Sequence, residues 1–412
     1  MNLSLYQLLM KIVKSLGFLI SWLPHPKLRY YLNHQGQITR LKPFKGEPVW
    51  IHASSGELEY AKSVIREIRK LFPEIPVLVT HTSLSSLSQL KTLDVDMIGV
   101  LPIDEKTSVK TFLDQVQPRA LLVARTDLWP ELILQLKNKN IPTVLFSATF
   151  ASGSKKSSAL TSYFLKSTIQ NLSQIYFVSQ DDQIMCEKIY GTTQGQILGD
   201  TRFDQAIFRL QNAPAATLPK FEKLIVAGST WPEDDQVLLQ TVLPLKDLNW
   251  KWIWVPHEIS GSQMDNLKQQ FRDKKIKFQL FSETKNLKSW DNLDLILVDQ
   301  VGRLATLYPL ARVSFVGGSF KKQVHSVMEP LAAGSPVLVG PYHHNNREAL
   351  EFKTEDWVLE VLSPDDFVKG CQKYDEQAEI RSQLIFSEVK SRCGATQSLI
   401  SKLNELYPAI FK

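Results

Sequence analysis

After residue 45 the chain repeats one rhythm: a short apolar run rich in β-branched residues, a segment of helical periodicity, then another run. The runs are 49–52, 77–80, 97–101, 120–124, 143–146 and 175–178, followed by 224–227, 252–255, 295–298, 313–316 and 336–339. Most are apolar at nearly every position, as strands covered on both faces are. Such strands joined by helices form βαβ units and parallel sheets. The stretch 210–220 (LQNAPAATLPK) lacks periodicity and splits the series in two. The expectation is an α/β chain of two Rossmann-like domains facing a cleft, at 31–212 and 213–395, with ligands beyond the carboxyl ends of the strands. A helix at 1–30 precedes them, and a C-terminal helix at 396–412 could return to the N-terminal domain.

Composition narrows the class. A length of 412 residues suffices for two cores, and 43% hydrophobic with 22% charged residues excludes a disordered or multi-span chain. Cys186, Cys371 and Cys393 are too few and too scattered for a disulfide framework or a thiolate zinc site, and they fit a reducing compartment. His343 and His344 have no acidic or Cys partner at metal-ligand spacing, so no metal site is expected. The net charge of +6 suits an anionic membrane surface or a phosphate-bearing ligand and does not call for nucleic acid.

Leu5, Leu8, Leu9, Ile12, Val13, Leu16, Leu19, Ile20 and Leu23 fall on one helical face, with Gln7, Lys11, Lys14 and Ser15 opposite. Tyr6 and Trp22 sit near the ends. The two lysines leave the segment short of a spanning helix, and it lacks the charged start and small-residue cleavage site of a signal peptide. It reads as an amphipathic helix in a membrane interface, its basic residues facing anionic lipid. A helix packed on its own domain is the alternative.

Charged and small residues gather after the runs. His52-Ala53-Ser54-Ser55-Gly56-Glu57-Leu58-Glu59 follows the first. Ser55 with Glu57 and Glu59 reads as helix capping, or Glu57 as a general base at a cleft rim. Arg125-Thr126-Asp127-Leu128-Trp129-Pro130 follows the fourth, and Arg125 and Asp127 could serve a site or simply pair. Gly228-Ser229-Thr230-Trp231-Pro232 reads equally as a phosphate loop or an N-cap. Gly317-Gly318-Ser319 allows close backbone approach to a ligand, and the stretch His325–Gly334 places Glu329 one turn into a short helix.

Taken together, ASSGELE (53–59), DLWPELI (127–133), GDTRFD (199–204), GSTWPED (228–234), VPHE (255–258), VDQVGRLATLY (298–308), FVGGSF (315–320), HSVMEPLAAGSPVLVGP (325–341) and NREA (346–349) resemble, in order, the 3-deoxy-D-manno-octulosonic acid (Kdo) transferases of lipopolysaccharide biosynthesis. The resemblance implies a GT-B glycosyltransferase with an N-terminal acceptor domain and a C-terminal donor domain. It implies CMP-Kdo as donor, a lipid A precursor (lipid IVA-like) as acceptor, no cofactor and no metal. The place it implies is the cytoplasmic face of the inner membrane. It puts the catalytic base on Glu57 and a second acid on Asp127, with Ser55, Gly56 and Arg125 on the acceptor side. Ser229, Thr230, His257, Gly317, Gly318, Ser319, His325 and Ser326 would meet the donor, Glu329 its ribose, and Asn345 lies near. The chain departs from the pattern in having one residue fewer between His52 and Glu57. It also has Asp127 for the usual Glu, Arg125 where many members carry an acid, and no Arg after the Pro of VPHE. Lys321 and Lys322 bring positive charge nearby. Acceptor specificity is expected in loops 83–88 and 151–158. Two rivals remain: a GT-B enzyme using another nucleotide sugar on another membrane lipid, and a non-catalytic nucleotide-sugar binding protein.

Overall fold

A computed structural model describes residues 3–20, 26–150, 159–192, 194–259 and 261–412. The loop 151–158 and residues Trp22 and Leu23 therefore lie outside the described residues. The chain forms two compact units, 1–205 with 392–412, and 206–391.

The first unit is built on eight strands: β1 (Ile38–Arg40), β2 (Val49–His52), β3 (Val77–His81), β4 (Met97–Val100), β5 (Ala120–Ala124), β6 (Thr143–Ala148), β7 (Gln174–Phe177) and β8 (Gln196–Ile197). Their order is β1-β4-β3-β2-β5-β6-β7-β8. All pairs are parallel except β1, which runs antiparallel to β4. From β2 the chain works outward through β3 and β4, then returns to the other side of β2 for β5, β6 and β7. The order reverses between β2 and β5, so the loops leaving those two strands part and open a crevice at the carboxyl edge.

The central strands are buried along their whole length, as their unbroken apolar runs require. One face of the sheet packs Val49, Ile51 and Val77 against helix α3, Leu58–Leu71. The other face packs Trp50, Leu78 and Leu121 against Phe112 and Leu132. The C-terminal helix Ala395–Leu406 joins the first face through Leu399, Ile400 and Leu403. Phe411 stacks on Phe72 with ring centres 4.3 Å apart. The Asp204 carboxylate fixes the entry to that helix by accepting the Gly394 and Thr396 N–H groups, at 2.6 and 2.8 Å.

Helix α1 (Leu3–Ile20) attaches through its polar side. The Tyr6 hydroxyl donates to Asp104 (2.6 Å), the Gln7 amide to Glu131 (2.7 Å) and Lys14 to Glu105 (2.8 Å). Burial pushes the Asp104 carboxyl up to about 6, even though Tyr6 and two backbone N–H groups bond to it. Leu5, Leu8, Leu9, Ile12 and Leu16 face outward, 44–55% exposed. The sequence expectation is corrected in one respect: Lys14 turns inward to Glu105 instead of facing lipid. Among the described residues no helix is long and apolar enough to cross a membrane.

The second unit repeats the plan with seven strands: β9 (Leu224–Thr230), β10 (Lys251–Pro256), β11 (Phe278–Leu280), β12 (Leu295–Leu297), β13 (Val313–Val316), β14 (Val337–Val339) and β15 (Val358–Glu360). All are parallel, in the order β11-β12-β10-β9-β13-β14-β15. Here the order reverses between β9 and β13, so Ser229 and the Gly317–Gly318 turn leave the sheet at its crevice. Trp252, Trp254, Phe271, Phe315 and Phe367 fill one face.

Candidate active site

In the first unit the loops after β2 and β5 bring Glu57 and Asp127 into one charged cluster. A single 3-10 turn, Ser55–Glu57, links β2 to α3. Ser55 enters it left-handed (φ 47°) and gives its N–H to the Ser86 hydroxyl at 2.7 Å. It does not cap the helix: the residues at the heads of the turn and of α3 are Ser54 and Glu57, and neither makes a side-chain capping bond. That corrects the capping reading of Ser55. Gly56 is exposed, and a Cβ there would meet nothing within 4 Å, so packing does not demand the glycine. The space in front of it stays open beside Glu57.

Asp127 does not pair with Arg125. It accepts from His52 Nε2 (3.0 Å) and from the Trp129 indole (3.1 Å). His52 is buried at the end of β2, its Nδ1 2.9 Å from the Thr80 hydroxyl, and that hydroxyl also takes the Trp50 indole N–H at 2.7 Å. Burial raises the Asp127 carboxyl, but the His52 hydrogen bond and charge, with Trp129 and Ser54, hold it below its usual value on balance. Arg125 is left-handed (φ 62°). Its guanidinium lies 5.4 Å from the Tyr60 ring and donates to the Thr149 hydroxyl at 3.2 Å. Its buried Nε has no hydrogen-bond partner among the described residues.

Glu57 feels all of these groups. Burial first, then the Asp127 charge, push its carboxyl above the usual value, while Arg125 and His52 pull the other way. A raised carboxyl pKa makes a stronger base. The short spacing from His52 to Glu57 departs from the family pattern, and the sequence assigns Trp129 no role. Both turn out to hold Asp127, and only folding shows it.

In the second unit the donor-side residues separate into those that line a space and those that are consumed. A cavity of about 510 Å³ is lined by Ser229, His257, Glu329, Arg209, Gln300 and Arg303, among others. Ser229 is left-handed (φ 55°). Gly317 packs flat on its carbonyl, where a Cβ would come within 2.2 Å, so no other residue fits. The ring of His257 stacks on Trp231 and on His325, at 4.4 and 4.6 Å. His325 Nε2 accepts the Trp231 indole N–H at 3.0 Å, which fixes a neutral ring with Nδ1 carrying the proton. Burial and the neighbouring His257 bring the His325 pKa down to about 4. Lys321 stands 3.4 Å above the Trp231 ring.

Several expected phosphate donors are already engaged. Thr230 is fully buried, its hydroxyl bonded by the Trp254 indole at 3.1 Å. Ser319 is fully buried and donates to the Val316 carbonyl at 2.9 Å. The Gly317 N–H goes to the Gly228 carbonyl (2.9 Å), and the Gly318 N–H goes to Asp234 (2.7 Å). Asp234 also binds the N–H groups of Trp231 and Phe320, at 2.8 and 2.9 Å. The glycine turn therefore supplies close approach, and Asp234 supplies its order. The helix expected near His325 begins only at Met328 and has five residues, with the Ser326 hydroxyl bonded to its first N–H at 3.3 Å. Glu329 is paired with Arg209. Asn345 is exposed. Its neighbour Asn346 reaches the His325 carbonyl at 3.1 Å and caps helix Arg347–Thr354 through the Ala349 N–H at 2.9 Å.

A sequence model described as 3-Deoxy-D-manno-octulosonic-acid transferase (kdotransferase) matches residues 27–205. A 3-deoxy-D-manno-octulosonic acid transferase of Haemophilus influenzae is 28% identical over 86% of this chain and 86% of its own length. The transferase of the same name from Aquifex aeolicus is 29% identical over 85% of this chain and 91% of its own. Among solved structures, a UDP-GlcNAc 2-epimerase from Neisseria meningitidis superposes with a TM-score of 0.61, covering 87% of this chain and 100% of that one at 14% identity. The glycosyltransferase of kitacinnamycin reaches 0.54, covering 87% and 99% at 12% identity. These two show the fold alone, which is GT-B. The chain is thus similar to 3-deoxy-D-manno-octulosonic acid transferases over about 85% of its length, and its residues 27–205 match the model of that family.

Proposed function

We propose that this chain transfers Kdo from CMP-Kdo to a lipid A precursor, with Glu57 as the general base. The observation that carries the reading is the Glu57 carboxyl: raised by burial and by Asp127, and set beside open space at the end of the central strand. The acceptor nucleophile is a sugar hydroxyl, which loses its proton only as it attacks. A carboxylate of raised pKa takes that proton. The oxygen forms its bond to the anomeric carbon, the bond from that carbon to the phosphate oxygen breaks, and CMP departs with the electron pair. Asp127, held by His52 and Trp129, keeps a negative charge near Glu57 and so keeps it basic. The cavity beside Ser229 and His257 is where the nucleotide would sit.

The outward apolar stripe of α1 fits a place on a membrane surface, where a lipid acceptor is met. The cytoplasmic face of the inner membrane, and the anionic lipid there, are part of this proposal.

Glu57→Gln tests it. Turnover should fall by about 10²–10⁴-fold, while CMP binding measured by calorimetry stays as in the wild type. Turnover close to wild type in that variant would remove Glu57 from the role.

A further inference from the structure

We propose that Arg303 is the cation that receives the donor's phosphate in the cavity of the second unit. This rests on the nucleotide-sugar reading above and names the group that reads the anion. The loop after β12 carries Gln300 and Arg303 into the wall that also holds Ser229, His257, Arg209 and Glu329. Among the described residues, counting charge along that wall leaves one unspent cation. Arg209 is neutralised by Glu329. His257 is a titrating ring whose pKa burial lowers below the ordinary histidine value, so it is no permanent cation.

Arg303 differs from both. Its Nε donates to the Gln300 side chain at 2.9 Å, and its guanidinium lies 5.7 Å from the Phe281 ring. Those two contacts hold the group in place. The Nη groups have no hydrogen-bond partner among the described residues. A guanidinium fixed through Nε and presenting two parallel N–H donors is the geometry that grips a phosphate through two oxygens at once. The hydroxyls and N–H groups of the neighbouring glycine turn are spent inside the fold, as shown above, which leaves the phosphate with few other donors. A sugar acid donor also carries a carboxylate. We assign Arg303 to the phosphate, which is present in every nucleotide donor and remains on the product nucleotide.

The test compares CMP with cytidine on the full chain by calorimetry. Wild type should bind CMP more tightly than cytidine, and the gap should narrow as salt rises. Arg303→Gln should weaken CMP by about ten- to a hundredfold and leave cytidine unchanged. Arg303→Lys should recover part of the loss, since it restores charge without the fork. Equal CMP affinity in Arg303→Gln and wild type overturns the assignment and leaves the donor reading standing. If wild type ignores CMP but binds another nucleoside monophosphate, the CMP-donor reading fails, and Arg303 stands or falls on that nucleotide against its nucleoside. If it binds none, both readings fall.

Discussion

Glu57 and its neighbours set a pH dependence whose sign is fixed. The base works ionised, so the rate falls as pH drops through its pKa, and the acid limb of kcat/KM should lie above the ordinary glutamate range. Asp127→Asn removes a charge that raises Glu57 and should move that limb to lower pH. Arg125→Gln removes a charge that lowers it and should move the limb to higher pH. Rate profiles of the three proteins check this, and an acid limb that does not move in either variant would contradict the assignment of the titrating group. Much of this site was visible in the letters, because chemistry gathers at strand ends in parallel sheets. Which hydroxyls remain available was not. Ser229 and Thr230 are adjacent and alike in sequence, yet one lines the cavity and the other is buried under Trp254. A phosphate loop and a helix cap are written with the same residues, and only packing separates them. His52 was hidden for a related reason: its partner lies 75 residues away.

At the scale of elements, α1 shows why an amphipathic pattern leaves two readings open. The periodicity gives two faces without saying which one meets the protein. Here the polar face is tied to Asp104, Glu105 and Glu131, and the leucines look outward. Leu8→Ser combined with Ile12→Ser should therefore weaken sedimentation with anionic vesicles at least tenfold, since each buried methylene contributes about 0.8 kcal/mol. The melting temperature should stay nearly unchanged, because exposed substitutions usually shift stability by no more than about 0.5 kcal/mol. Unaltered vesicle binding would count against a membrane face. The C-terminal helix makes the opposite forecast. Leu403 is fully buried in the core of the first unit, so Leu403→Ala should cost about 2–5 kcal/mol. A denaturant titration measures that cost, and a loss under 1 kcal/mol would mean that the helix is not part of the core. The strands β1, β8, β11 and β15 escaped the sequence reading. Each has two or three residues, and Val358 is the one fully buried position among them, so none carries the unbroken apolar run that marked the others.

At the scale of the whole chain, two sheets are wound on the same plan, and each puts its chemistry where its strand order reverses. The series of apolar runs foretold two parallel sheets because strands buried on both faces leave that mark. The reversal itself is a property of pairing, which a linear series does not carry. The first sheet's reversal holds the acid and base groups, and the second's holds the cavity with its stacked rings and arginine. That division suits a reaction with one neutral nucleophile and one anionic leaving group. The most direct test is a transfer assay with purified protein, CMP-Kdo generated in situ and a tetra-acylated lipid A precursor, read by mass spectrometry. The account predicts a product heavier by one or more Kdo units, lost in Glu57→Gln. Intact CMP-Kdo and unchanged acceptor in the presence of folded protein would contradict it.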